Sequence, residues 1–181
     1  MIEDQQKLQA FVYSEEVLSF VKAANETATF LEELKEKEGK AFIAEALIHL
    51  SEVYLTMLKV GDSEPLNEST AEPSVSEQAW AEVFQRILAL LGPHNEILRP
   101  AEDDEFDRSD LVTHTISEDL ADVYQELRDF TSLYSRGLEE IMNDSVWEVK
   151  VRFVEHWGKK LLRSLSSLHD LYVAGVDPTE E

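Results

Sequence analysis

Residues 116–134 read ISEDLADVYQELRDFTSLY, and the spacing inside this stretch decides the fold class. Ile116, Leu120, Val123, Leu127, Phe130 and Tyr134 recur at steps of four and three. On a period of 3.6 residues those positions share one face, so the stretch is an amphipathic helix with one side for a core. Downstream, Trp147, Val151, Val154, Gly158, Leu161, Leu165, Leu168 and Tyr172 keep the same alternation. They predict a longer helix that ends near Gly175.

Upstream the same spacing recurs in three further segments. The first runs from about Ser14 to Lys37, with Val17, Val21, Ala24, Ala28 and Leu31 aligned. Ser14 is suited to cap it, and Glu15 and Glu16 follow where the helix dipole favours negative charge. Gly39 separates it from a helix carrying Ile43, Leu47, Leu50, Tyr54 and Met57. A third follows Ser76, with Trp80, Phe84, Ile87 and Leu91, and stops at Gly92-Pro93.

Between these segments the residues about 61–75 and 92–110 read as loops, and the tail about 174–181 as frayed. The acidic run Glu102-Asp103-Asp104-Glu105 belongs to the second loop. All five prolines fall outside the helices, and no alternating run reads as a strand. The expectation is an all-α single domain over residues 1–181, a bundle of about five mostly antiparallel helices. Leu120, Leu127, Trp157, Gly158 and Leu161 are expected in its core. A glycine inside a helix costs roughly 1 kcal/mol relative to alanine. Close approach of another backbone at Gly158, with Trp157 packed beside it, is the simplest offset.

Composition narrows the chemistry. The chain carries 38 acidic and 16 basic residues, a formal charge of −22, with 43% hydrophobic content, enough for a core. Such a charge repels phosphate backbones, so direct nucleic-acid binding is not expected, and it suits a basic protein partner. The absence of cysteine removes disulfides, a thiol nucleophile and Cys-based zinc sites. The start Met1-Ile2-Glu3-Asp4-Gln5-Gln6-Lys7 has no signal-peptide character, and no uninterrupted apolar run approaches a membrane span. The expected location is the cytoplasm, with no membrane contact.

The stretch from Ile116 to Phe130, ISEDLADVYQELRDF, resembles the signature of a bacterial family catalogued as domain of unknown function 5063. His156-Trp157-Gly158-Lys159-Lys160-Leu161, followed by Leu168-His169, resembles it too, as does the spacer Glu139-Glu140-Ile141-Met142-Asn143-Asp144. The likeness is concentrated in roughly the last 70 residues. The resemblance implies a small cytosolic-type protein without an assigned activity, and it brings no catalytic residues with it.

The residues themselves offer one candidate constellation. Glu118, Asp122 and Asp129 recur along the fourth helix, Glu126 lies on a neighbouring line, and His114 precedes Glu118 by one turn. Carboxylates and an imidazole on one face suit a divalent cation such as magnesium or manganese, because hard cations take several oxygens. The commoner outcome is pairing with basic residues. The fifth helix supplies Lys150, Arg152, Lys159, Lys160 and Arg163 against Glu148 and Glu155 within residues 148–163.

Other constellations are incomplete. No histidine has a glutamate three residues before it, which argues against a carboxylate-bridged di-iron bundle. Glu45 and Glu52 flank His49 and favour local pairing over zinc. Glu32-Glu33-x-x-Glu36 matches half of the magnesium pattern of helical nucleotide pyrophosphatases and reads as an exposed helix end, because the next helix lacks the other half. No phosphate-cradling loop, nucleophile elbow or His-Glu-x-x-His is present.

No catalytic or cofactor-binding residue is therefore assigned. The leading expectation is a non-enzymatic acidic helical module for protein interaction. The alternative is a divalent-metal-dependent hydrolase of a phosphorylated small molecule. Mimicry of nucleic acid by the acidic surface is a third, weaker reading. The sequence does not specify the oligomeric state.

Overall fold

Seven helical segments and one β-hairpin make up the computed structural model, which describes residues 2–34, 39–67, 72, 74–100 and 111–179. The segments are α1 (Ile2–Val12), α2 (Glu15–Glu32), α3 (Gly39–Lys59), α4 (Glu77–Leu91), α5 (Ile116–Tyr134), α6 (Glu139–Arg152) and α7 (Gly158–Val173). A π turn, Phe153–Trp157, joins α6 to α7, so the described chain forms six continuous helices. The fold is predominantly α-helical, with α5 packed against α2, α4, α6 and α7.

Local chemistry sets the boundaries. Ser14 accepts from the Val17 amide at 3.4 Å, Ser76 from Ala79 at 3.2 Å, and Thr115 from Glu118 at 3.3 Å. Each side chain satisfies an amide that a helix start leaves unpaired. Leu120, Leu127, Trp157, Gly158 and Leu161 are buried, and Phe20 meets Phe130 across α2 and α5 with ring centroids 5.0 Å apart.

Four features differ from the sequence expectation. First, α1 precedes Ser14 as a separate helix. Its apolar residues gather at its end, in Leu8, Phe11 and Val12, so no periodic stripe announces it. The Tyr134 hydroxyl ties it to α5 by donating to the Val12 carbonyl at 2.5 Å.

Second, part of the expected 92–110 loop is ordered. A 3₁₀ turn, Gly92–Asn95, leads into β1 (Glu96–Pro100), which pairs antiparallel with β2 (Leu111–Thr115). Ile97 stands opposite His114 and Arg99 opposite Val112. This inner face is half-buried and carries an arginine and a histidine, while Leu98 and Leu111 on the other face are 66% and 63% exposed. The pattern of apolar residues inward and polar residues outward is thus scrambled, which hides the strands. The acidic run 102–105 lies outside the described residues.

Third, the mid-helix glycine answers to its own helix. A Cβ on Gly158 would stand 2.5 Å from the Phe153 carbonyl oxygen and 3.0 Å from the Phe153 ring. The Gly158 amide donates to that carbonyl, closing the π turn. Trp157 packs on Phe153 at 4.7 Å and donates its indole N–H to the Val149 carbonyl at 3.0 Å. The close approach is made by the π turn itself rather than by a crossing helix.

Fourth, the tail is held as far as Thr179. Pro178 lies against Gly39, where a Cβ would meet its ring at 2.7 Å. The Gly39 amide donates to the Thr179 hydroxyl at 3.4 Å, and Thr179 donates to Asp177 at 2.7 Å. The absence of a side chain at Gly39 makes room for this contact.

By length and composition α3 is long and apolar enough to cross a membrane, with mean hydropathy 1.4 over its most apolar window. Glu45, His49 and Glu52 interrupt it, and Phe42, Ile43, Ala46, Leu50, Val53 and Met57 are buried in the bundle.

Candidate functional site

The polar face of α5 meets the basic residues of the last helix in a ladder of ion pairs. Arg163 holds Asp119 through two parallel bonds of 2.7 and 2.6 Å, with the side chains only 10% and 4% exposed. Lys160 pairs with Asp122, whose other oxygen accepts the Trp80 indole N–H at 2.8 Å. Arg152 binds one oxygen of Glu126 at 2.6 and 3.0 Å. Lys150 turns the other way, onto Asp62 at 2.7 Å and the Val60 carbonyl at 2.5 Å. Planar guanidinium forks match carboxylates with two bonds, which gives these helix contacts register as well as attraction.

Environment shifts the ladder's titration. Burial pushes the Glu126 carboxyl up, against the opposing pull of Arg152. The hydrogen bonds that Arg152 donates to Glu126 raise Arg152 in turn. Burial likewise raises Glu148, one turn from Arg152. On the opposite side of α5, Arg128 clamps Glu32 at 2.9 and 2.6 Å, and the Tyr124 hydroxyl donates to the same carboxylate at 2.9 Å. Burial and that carboxylate push the Tyr124 phenol up to about 12.

The expected cation constellation is dispersed. His114 sits on β2 rather than on the helix, and its Nε2 is buried without a hydrogen-bond partner among the described residues. Glu118 is exposed in the first turn of α5. Asp122 is held by Lys160 and Trp80. Asp129 accepts from the Ser74 amide and hydroxyl and from the Val75 amide, all within 2.7–2.8 Å, and so anchors the segment before α4. No group of three His, Cys, Asp or Glu side chains able to hold a metal ion occurs among the described residues.

One smaller expectation also changes. Glu32 belongs to the Arg128–Tyr124 cluster rather than to a free helix end, and Glu36 lies outside the described residues. His49 stacks on Phe30 with ring centroids 4.6 Å apart.

An open groove of about 1080 Å³ lies between α1, the segment 65–67 and the start of α6. Leu8, Leu66, Leu138, Ile141 and Trp147 give it an apolar floor. Asp4, Glu139, Glu140 and Glu148 supply carboxylates around it, and Arg136 is the one lining cation among the described residues. A fifth carboxylate, Asp144, is committed to structure. It accepts from the Leu66 and Asn67 amides at 2.7 and 3.1 Å and from the Asn67 side chain at 2.7 Å. The Asn143 side chain donates to the Glu64 carbonyl at 2.8 Å and pins the same segment.

Sequence reasoning placed residues 61–75 in a plain loop and did not see this groove. The available signal was Leu138-Glu139-Glu140-Ile141, apolar residues around two acids directly after Gly137, where φ is +71°.

The family described as Domain of unknown function (DUF5063) matches residues 11–174. The crystal structure of protein BF1032 from Bacteroides fragilis is similar, with a TM-score of 0.78 and 28% sequence identity. The alignment covers 89% of this chain and 94% of that chain. No curated protein matches.

Proposed function

We propose that this chain, which belongs to the DUF5063 family, is a non-enzymatic acidic helical module that binds a basic protein partner. The supporting observation is how its cations are used. Of the five basic residues between 148 and 163, Lys150, Arg152, Lys160 and Arg163 are paired with the chain's own carboxylates. The formal charge of −22 is therefore carried by surplus carboxylates, and the basic stretch is spent inside the fold. A field of that sign raises the encounter rate with basic partners and disfavours acidic ones.

The competing reading, a magnesium- or manganese-dependent hydrolase of a phosphorylated small molecule, has less support. It needs Asp122 and Asp129 turned toward a shared ion, and both carboxylates are occupied by other partners.

Affinity capture from native lysate on the immobilised protein, washed at rising salt, tests the proposal. The expected result is one basic protein retained at low salt and released at high salt. Recovery of no specific partner at any ionic strength contradicts it.

A further inference from the structure

We propose that the groove between α1, residues 65–67 and the first turns of α6 is the docking site for a basic amphipathic helix of a partner protein. This rests on the interaction-module reading and names its site and ligand chemistry. The floor exposes apolar surface that the monomer leaves uncovered: Leu66 is 54% exposed and Leu138 is 61% exposed. Leu8, Ile141 and Trp147 are half-buried beside them. Apolar surface in a concave site is favourably covered by an apolar partner face.

The rim selects the charge of that partner. Glu139 and Glu140 stand beside Arg136, and Asp4 and Glu148 add carboxylates, although Glu148 also lies 3.9 Å from Arg152, so the rim favours an occupant with cations at the edges of its apolar face. A helix with leucines on one stripe and Lys or Arg on its flanks supplies both in a rod about 10–12 Å across. A second copy of this chain is disfavoured as occupant, because it would bring surplus carboxylates to an acidic rim.

The floor is also preorganised. Asp144 and Asn143 fix residues 64–67 by hydrogen bonds, so little chain ordering remains to oppose binding.

The test uses a synthetic Leu/Lys peptide with helical amphipathic spacing and no aromatic residues, together with a scrambled isomer of identical composition. Affinity is read by titration calorimetry and by the emission of Trp147, with Trp147→Phe identifying its share of the signal. Glu140→Lys and Glu118→Lys change the net charge equally, but Glu118 lies about 22 Å along α5 from Leu133, which lines the groove, at 1.5 Å per residue.

The expected result is tighter binding of the amphipathic isomer, with Kd raised about fivefold or more by Glu140→Lys and lowered by Arg136→Glu. Glu118→Lys should leave it within about twofold. The opposite signs at two exposed positions separate docking from misfolding. Equal affinity of both isomers, with Glu118→Lys as damaging as Glu140→Lys, overturns the groove and leaves the module reading intact. Absence of binding by either peptide also overturns the groove, whereas the module reading falls only if lysate capture is empty as well.

Discussion

Arg163 and Asp119 face each other across α7 and α5 as a two-bond pair nearly withdrawn from water. The pair joins the two helices whose sequences carried opposite charge, and it fixes how they meet. Opposite charge along the chain has become internal complementarity, which leaves the remaining carboxylates to define the surface.

Asp119→Asn removes one charge and breaks the two-bond ion pair with the buried guanidinium of Arg163. The expected cost is about 3–5 kcal/mol in urea unfolding, because breaking a buried ion pair by removing one charge is penalised heavily. The apolar double variant Asp119→Leu with Arg163→Met is expected to recover most of that loss. A single-variant cost below about 1 kcal/mol would show the pair to be solvated.

Gly158→Ala places a methyl group against the Phe153 carbonyl, a backbone atom that cannot move without opening the π turn. Overpacking of this kind costs about 1–3 kcal/mol. At this chain length that lowers Tm by roughly 2–4 °C for each kcal/mol. An unchanged or raised Tm would mean the π turn relaxes freely into regular helix.

The Glu126 carboxyl titrates above its ordinary value of 4.5 in the folded state. Below the unfolded value both states are protonated and the group costs nothing. As pH rises toward the folded value the unfolded chain loses its proton first, so stability declines across that window. Glu126→Gln removes the decline, and its stability relative to the parent should increase as pH rises above 4.5. A difference that stays flat with pH would show that Arg152 fully offsets the burial.

Added magnesium or manganese is expected to leave Tm unchanged, because Asp122 and Asp129 are engaged by protein donors. A rise in Tm that Asp122→Asn abolishes would favour the hydrolase reading instead.

The helices were legible because each long one buries an apolar stripe. Val154 and Tyr172, expected on the stripe of the last helix, are nonetheless 71% and 57% exposed, with Val154 inside the π turn that interrupts the regular spacing. Leu120 and Leu127 on α5 and Leu161 and Leu168 on α7 mark their faces by spacing alone. The hairpin was not legible, since Arg99 and His114 occupy its inward face and Leu98 its outward face. The pairing of α5 with the last helix could be anticipated from charge, whereas the partner of each carboxylate depends on tertiary placement. Asp129 capping Ser74 and Val75, 55 and 54 residues away in sequence, carries no local signal. The groove was hidden for the same reason, because α1, residues 65–67 and α6 converge only in the fold.

The central claim, recognition of a basic partner by surplus surface carboxylate, is tested most directly by the salt dependence of that partner's affinity. The measurement is the Kd of the captured protein as ionic strength rises, with the Debye length shrinking from about 10 Å at 0.1 M to about 3 Å at 1 M. The account predicts a steep, continuous loss of affinity across that range. An affinity that holds constant through 1 M salt, or the absence of any partner at low salt, would contradict it.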